Sequence, residues 1–271
     1  MYESFWKLSS KPFSHRTETS QFYRSRSHHQ ALLRLKYSLE SFPGPGLVIG
    51  LSGTGKSSLA RIFAAENSAH RPFVHVAFPA LNRDELLRWI GTELCGTLDS
   101  DSAGAEAILR QIQRSLRKST QLGQRPLLCI DDAHLLSDDA LQYIVQPLLN
   151  MSESDDATHL SVLLMGLPSL ASRLRKVGEL NERVAVTTAL TGFTETETRE
   201  YILGCLKQAG GAETIFSAGA LQRVFEITAG NPRRINRLCD MALLVGYAEQ
   251  LAQISELQID GVGAELVPAA A

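Results

Sequence analysis

Eight consecutive residues carry the spacing of a polyphosphate site. Gly50-Leu-Ser-Gly-Thr-Gly-Lys56-Ser57 satisfies G-x-x-x-x-G-K-[ST] in full. Glycines let the backbone wrap close to phosphate without a Cβ in the way. The loop N–H groups then turn inward as an anion nest, and a helix starting near Lys56 adds the positive end of its dipole. The expected nucleotide contacts are Gly50, Ser52, Gly53, Thr54, Gly55, Lys56, Ser57 and Ser58. Lys56 would reach the β- and γ-phosphates of ATP, and the Ser57 hydroxyl would ligate Mg²⁺. About 75 residues later, Leu127-Leu-Cys-Ile-Asp131-Asp132-Ala-His134 is an apolar run ending in two carboxylates. A carboxylate at the C-terminal end of a buried strand faces the ligand crevice of an open α/β sheet. Asp131 is expected to hold the magnesium through water, and Asp132 to orient and activate the attacking water. His134 either contacts the γ-phosphate or closes the loop.

Those side chains need a parallel sheet to carry them, and the hydrophobic pattern supplies one. Leu47–Gly50, Phe73–Phe78, Pro126–Ile130, Leu160–Met165 and Arg183–Leu190 read as strands. Helical segments alternate with them: His28–Ser41, Lys56 to about Asn67, Asp84–Cys95 and Ala105–Lys118. Alternation of this kind implies a parallel sheet covered on both faces. Pro43-Gly44-Pro45-Gly46 reads as the turn before the first strand. Ser137 has the position of an N-cap, with Asp138 and Asp139 in the first turn. After Leu190 the strand signal stops. Thr194–Gln208, Ala218–Thr228 and Pro232–Gln250 all read as helices, and Thr194-Glu-Thr-Glu197 has capping-box spacing. The expected organisation is an N-terminal segment and P-loop α/β core at 1–191, a helical lid at 192–250, and a C-terminal tail at 251–271 whose weak periodicity and Pro268-Ala-Ala-Ala271 ending suggest fraying.

Composition removes several function classes. Hydrophobic residues make up 44%, ordinary for a globular chain, and the net charge of −2 gives no global pull toward nucleic acid or an anionic membrane. Residues 1–40 are locally basic, with seven Lys/Arg against three Glu. Cys95, Cys129, Cys205 and Cys239 form no CxxC pair and read as buried reduced thiols. No apolar run approaches the ~18 residues of a membrane span, and Met1–Lys7 lacks the apolar core of a signal peptide. The expected location is the cytoplasm.

With these residues in view, the chain resembles AAA+ ATPases of the ExeA/GspA group, general secretion pathway protein A-like. The resemblance covers roughly residues 1–250. It rests on Met1-Tyr-Glu-Ser-Phe with Lys11-Pro12-Phe13, Ser27-His28, the P-loop, the strand ending in acid-acid-Ala-His, and Gly230-Asn-Pro-Arg233-Arg-Ile-Asn236-Arg-Leu-Cys239-Asp. It implies an α/β P-loop NTPase (AAA+) fold with a small all-α lid, the nucleotide lying between them. It implies that Arg233 is a sensor-2 arginine reaching the γ-phosphate. Arg183, after Leu180-Asn-Glu, resembles the group's arginine before the fifth strand and is the candidate finger given to a neighbouring subunit. Arg173 and Arg175 compete for that role. The implied partners are further copies of the chain when ATP is bound, as a ring or filament, and a protein of a secretion or envelope assembly. The group usually continues into a membrane span and a peptidoglycan-binding region, which this sequence does not reach, so a free-standing or truncated ATPase is expected. The same type also resembles the transposition ATPases TniB and TnsC, which makes DNA a further candidate partner. Arg110, Arg114, Arg117 and Lys118, with Arg233, Arg234 and Arg237, would supply the basic surface, or form solvated helix faces. Two departures point to slow hydrolysis, and at the limit to a nucleotide switch. Asp132 stands where the group usually has Glu, and Gly166-Leu167-Pro168-Ser169 stands where a polar residue usually follows the fourth strand. His28 and His29 are expected to pack near the base or lie on the surface. Phe5, Trp6, Phe13, Phe22 and Tyr23 are expected to form a small packing cluster, with the adenine pocket as their alternative role.

Overall fold

The computed structural model describes residues 1–14, 22–41, 44–98, 104–153, 158–176 and 178–266. Pro43, the Pro268–Ala271 ending, and Arg16 and Glu18 among the charges counted in residues 1–40 lie outside the described residues. The chain divides into two units, Arg26–Leu190 and Met1–Ser25 together with Thr191–Ala271.

The first unit is a five-stranded parallel sheet flanked by helices. Its strands are β1 (Gly46–Gly50), β2 (Phe73–Val76), β3 (Leu127–Ile130), β4 (Ser161–Gly166) and β5 (Val186–Leu190), in spatial order β2-β3-β4-β1-β5. Every residue of β3 and β4 is buried. That is the reason these strands read as unbroken apolar runs: helices cover both faces of a parallel sheet. At the edge, β5 alternates exposed Thr187 and Ala189 with buried Thr188 and Leu190. The register sets Val48 beside Met165 and Cys129 beside Leu163, so β1, β4 and β3 end at neighbouring places on one rim.

The helices follow from their apolar stripes and caps. They are α1 (Arg26–Ser41), α2 (Lys56–Glu66), α3 (Arg83–Cys95), α4 (Ala105–Gln121), α5 (Asp138–Ala140), α6 (Gln146–Glu153), α7 (Ser169–Leu174) and α8 (Gly178–Glu182). A π-helical stretch, Leu141–Val145, links α5 to α6. A capping box between Asn82 and Glu85 starts α3. On α4 one stripe, Ile108, Ile112 and Leu116, is buried and packs with α3. Ser137 caps α5 by accepting from the Ala140 amide at 3.1 Å. Burying each large apolar side chain of this core contributes about 1.5–3 kcal/mol.

The second unit is helical: α9 (Glu195–Gln208), α10 (Ala218–Thr228), α11 (Pro232–Ala248) and α12 (Glu256–Leu266). Thr194 and Glu197 close the capping box of α9. Two expectations are corrected here. The N-terminal segment belongs with this unit and not with the α/β core. Tyr2, Trp6, Leu8 and Phe13 are buried in the helical core. The Trp6 indole donates to the Leu243 carbonyl at 2.9 Å, the Ser9 amide donates to the Ala209 carbonyl at 2.8 Å, and the Tyr2 hydroxyl donates to Asp240. The tail does not fray from residue 251. It forms α12, which buries Ile259 and Val262 between α10 and α11.

Candidate functional site

The phosphate-type loop leaves β1 at Gly50 and enters α2 at Lys56. Gly55 occupies the N-cap position with φ 92°, ψ 16°, a left-handed conformation that L side chains rarely adopt, and provides no side-chain cap. The first N–H groups of α2 therefore have no capping side chain and are aimed out of the helix start, the arrangement that binds anions. Within the loop the Thr54 hydroxyl donates to the Leu51 carbonyl at 2.9 Å. Lys56 is buried, its ammonium donating to the carbonyls of Gly50 at 2.9 Å and Leu51 at 3.0 Å. The lysine charge thus sits inside the curve of the loop.

His28, on α1, is 1% exposed and lies against this loop. Its Nε2 is 2.9 Å from the Thr54 carbonyl. A carbonyl only accepts, so Nε2 carries the proton in this contact. A Cβ on residue 55 would come within 2.8 Å of the same nitrogen. His28 is thus a brace of the loop, whereas His29 is exposed.

Asp131 and Asp132 stand at the end of β3, as the sequence predicts. The Ser57 hydroxyl donates directly to Asp131 Oδ2. Asp131 Oδ1 accepts from the Asp132 amide at 3.0 Å, and His75 Nε2 lies 3.5 Å from Oδ2. Burial pushes the Asp131 carboxyl up, but the His75 and Ser57 contacts and the Asp132 amide outweigh it and hold the carboxyl below its ordinary value. Asp131 is therefore a carboxylate at neutral pH. Together with the Ser57 hydroxyl it offers two hard oxygen donors in contact, which fits a small divalent cation that takes its other ligands from phosphate and water.

Asp132 differs from its neighbour in every respect that matters for reactivity. Its side chain is 52% exposed, and its backbone is left-handed at φ 46°, ψ 35°. Aspartate tolerates that conformation better than most residues. His134 Nδ1 lies 3.9 Å from Asp132 Oδ1 and accepts from the Leu167 amide at 3.5 Å. Arg173 braces the same turn, donating to the His134 carbonyl and pairing with Asp138, each at 2.6 Å. His134 thus closes the loop between β3 and the end of β4. Leu167 follows β4 with a side chain that has no polar atom, and Ser169 is exposed at the start of α7.

Two arginines singled out in the sequence lie one in each unit. Arg183, between α8 and β5, donates to Asn150. Arg233 sits in the first turn of α11, in the helical unit, with an exposed side chain. Pro232 occupies the first helical position, and Asn231 Oδ1 accepts from the amides of Arg233 at 3.1 Å and Arg234 at 3.3 Å. The structure therefore brings the loop residues, Ser57, Asp131 and Asp132 together in one unit. Arg175 is exposed and bonds Ser172 of its own helix at 3.0 Å.

Sequence reasoning missed His75 and the bracing role of Arg173. A signal for His75 existed. In Phe73–Val76 the two valines are buried, and His75 alternates with them, one pairing from the end of β3.

Residues 40–174 match the model of a family described as an AAA domain. Over 250 residues the chain is 30% identical to General secretion pathway protein A of Aeromonas hydrophila, covering 92% of this chain and 45% of that protein. The chain thus spans less than half the length of that relative. Among solved structures, Cdc6p of Pyrobaculum aerophilum aligns with a TM-score of 0.77 at 18% identity, over 96% of this chain and 72% of that one. The Aeropyrum pernix ORC1 protein in complex with DNA aligns with a TM-score of 0.71 at 12% identity, over 96% and 70%. The RuvB Holliday junction branch migration motor of Thermotoga maritima aligns at 0.60 with 16% identity, over 88% and 69%. At such identities these structures speak for the fold alone.

Proposed function

For a chain that belongs to the AAA+ P-loop ATPases, in the group of General secretion pathway protein A, we propose that this loop binds ATP with Mg²⁺ and hydrolyses it slowly to ADP and phosphate, driving the assembly or remodelling of a partner complex in a secretion or envelope system. The observation that carries the reading is the direct Ser57–Asp131 bond beside a lysine buried in the loop. It joins the end of β3 to the first turn of α2, where a phosphate-bound cation would need both oxygens.

The roles divide by environment. Lys56 and the loop amides bind the phosphates. Ser57 and Asp131 would hold the magnesium, which supplies positive charge at the phosphate oxygens when bound. His75 keeps the Asp131 carboxylate oriented. Asp132, exposed and unburdened by that network, orients the attacking water and accepts its proton. Its side chain is one methylene shorter than glutamate, and Leu167 gives no polar side chain beside it, so turnover is slow. Arg233, carried by the helical unit, is the proposed contact of the γ-phosphate.

We assign the finger role to Arg183, which would have to exchange its Asn150 partner for the phosphate of a neighbouring copy. Arg173 is disfavoured, because it braces the His134 turn. The working form is then a nucleotide-dependent oligomer in the cytoplasm. No helix among the described residues is long and apolar enough to cross a membrane. A second reading, ATP-dependent binding to DNA, draws support from α4, where Arg110, Arg114, Arg117 and Lys118 form an exposed basic row. ATP-dependent DNA binding that weakens steeply with salt would establish that reading.

The deciding experiment is specific ATPase activity against protein concentration, with Lys56→Ala as the blank. Activity per subunit that rises with concentration and disappears in the variant supports an oligomeric ATPase with shared sites. Activity at the level of the blank at every concentration, with ATP still bound, overturns hydrolysis in favour of a nucleotide switch.

A further inference from the structure

The chain passes between its two units at two points, Ser25 to Arg26 and Leu190 to Thr191. Each crossing has an aromatic residue close by on the helical-unit side, Tyr23 on the first and Phe193 on the second. These two rings meet edge to face, with centroids 5.2 Å apart and planes at 72°. Both also pack on Tyr201 of α9, Tyr23 at 5.8 Å and Phe193 at 5.2 Å. Connectors separated by about 170 residues of sequence are therefore pinned to one another and to one helix.

Hydrogen bonds accompany the ring packing. The Tyr23 hydroxyl donates to Glu200 at 2.7 Å, and the Tyr201 hydroxyl donates to Asn236 at 2.7 Å in a buried setting. Burial, followed by the Glu200 contact, raises the Tyr23 phenol above its ordinary value, so it stays a donor at neutral pH. Asn236 lies on α11, one turn beyond Arg233. A second link runs through the backbone. The Phe193 amide donates to the Gly230 carbonyl at 2.8 Å. Gly230 has φ +68°, and a Cβ there would lie 1.9 Å from the Phe193 carbonyl oxygen. The next residue, Asn231, caps the amides of Arg233 and Arg234. The first turn of α11 is thus held from two sides by the same cluster.

We propose that Tyr23, Phe193 and Tyr201 form a clasp that joins both connectors to the start of α11 and sets the direction of Arg233 for the γ-phosphate. They are positioning residues, acting on Arg233 through the start of α11. The inference rests on the proposed role of Arg233. It extends that role by stating that the arginine and both connectors move as one piece.

The test uses the full chain and three variants, Tyr23→Ala, Tyr23→Phe and Arg233→Ala. The first readout is hydrogen exchange at the Phe193, Arg233 and Arg234 amides without nucleotide. The clasp predicts faster exchange at all three in Tyr23→Ala and wild-type exchange in Tyr23→Phe, which keeps the ring. The second readout is the preference for ATP over ADP in equilibrium binding, to which only a γ-phosphate contact contributes. Tyr23→Ala should lower that preference by about tenfold or more, toward the value of Arg233→Ala. Combining the two changes should add little, as expected for groups acting through one contact. Melting temperature of each variant accompanies both readouts. Unchanged amide exchange in a folded Tyr23→Ala overturns the clasp. So does a loss of ATP preference that adds in full to that of Arg233→Ala. If Arg233→Ala leaves the preference untouched, the proposed role of Arg233 falls, and with it the second half of the inference, while the exchange result still decides whether the clasp exists.

Discussion

The phosphate-type loop of the α/β unit and the arginine-bearing turn of the helical unit are held by different balances of force. At the loop, positions are set by polar contacts: Lys56 on two carbonyls, Ser57 on Asp131, and His28 and His75 on a carbonyl and a carboxylate. At the start of α11, ring packing and one close backbone crossing at Gly230 stand beside the hydrogen bonds of Tyr201 and Asn231. Polar contacts can be exchanged for ligand contacts at small net cost, because one hydrogen bond replaces another. Buried ring contacts cannot be exchanged in that way. The contacts of the loop can thus give way to a ligand's, whereas the packing around the arginine-bearing turn cannot.

Substitutions can break this contrast in order of size. The largest effect belongs to the apolar side. Trp6→Ala should remove about 3–5 kcal/mol from the stability of the helical unit, seen as an earlier transition in chemical unfolding followed by circular dichroism. ATP affinity at the loop, measured below that transition, should hold if the loop is organised by its own polar contacts. A loss of loop affinity in parallel would erase the distinction. Next comes Lys56→Ala, expected to lower kcat/KM for ATP by about 10²–10³, or roughly 2.7–4 kcal/mol, with no change in the melting of either unit. His75→Gln follows. Positioning partners of a metal ligand are worth about ten- to a hundredfold in metal affinity. Activity titrated with magnesium should therefore shift to higher concentration and recover at saturation; a fall at saturation would assign His75 a part in the chemical step. The smallest change is Asp132→Glu, which lengthens the acid by one methylene. It should raise kcat by a few-fold, about 1 kcal/mol, if the short side chain limits turnover. An unchanged or lower kcat would move the cause of slow turnover to Leu167.

The α/β half of this molecule was readable because its signals are local. Buried parallel strands announce themselves as apolar runs, and β3 and β4 are buried at every residue. The G-x-x-x-x-G-K-[ST] spacing and the acids after Ile130 lie within a few residues of the elements that present them. What stayed hidden depends on distant partners. Tyr2, Trp6, Leu8 and Phe13 follow neither a period of 2 nor one of 3.6, because the segment bends through Lys7 at φ 56°. Nothing local ties them to α11. Helix α12 was obscured by Gly261 and Gly263, which weaken its apolar stripe to little more than Ile259 and Val262. His28 and His75 act on groups 26 and 56 residues away along the chain, and a histidine gives no sign of which carbonyl or carboxylate it will meet. The ring cluster at Tyr23 was legible as packing, but its second member, Phe193, stands on the far side of the whole α/β unit in sequence.

The N-terminal strap has a consequence for how the protein is made. Trp6 and its partner Leu243 are separated by 237 residues. A ribosome adding about 5–20 residues per second needs roughly 10–50 s to pass from one to the other. Throughout that interval Tyr2, Trp6 and Phe13 have left the exit tunnel without the helices that bury them, while the intervening parallel sheet can already be closing. The helical unit is therefore completed after the parallel sheet, although its aromatic strap precedes that sheet in the chain. That aromatic strap is a stretch that a nascent-chain chaperone would have reason to shield.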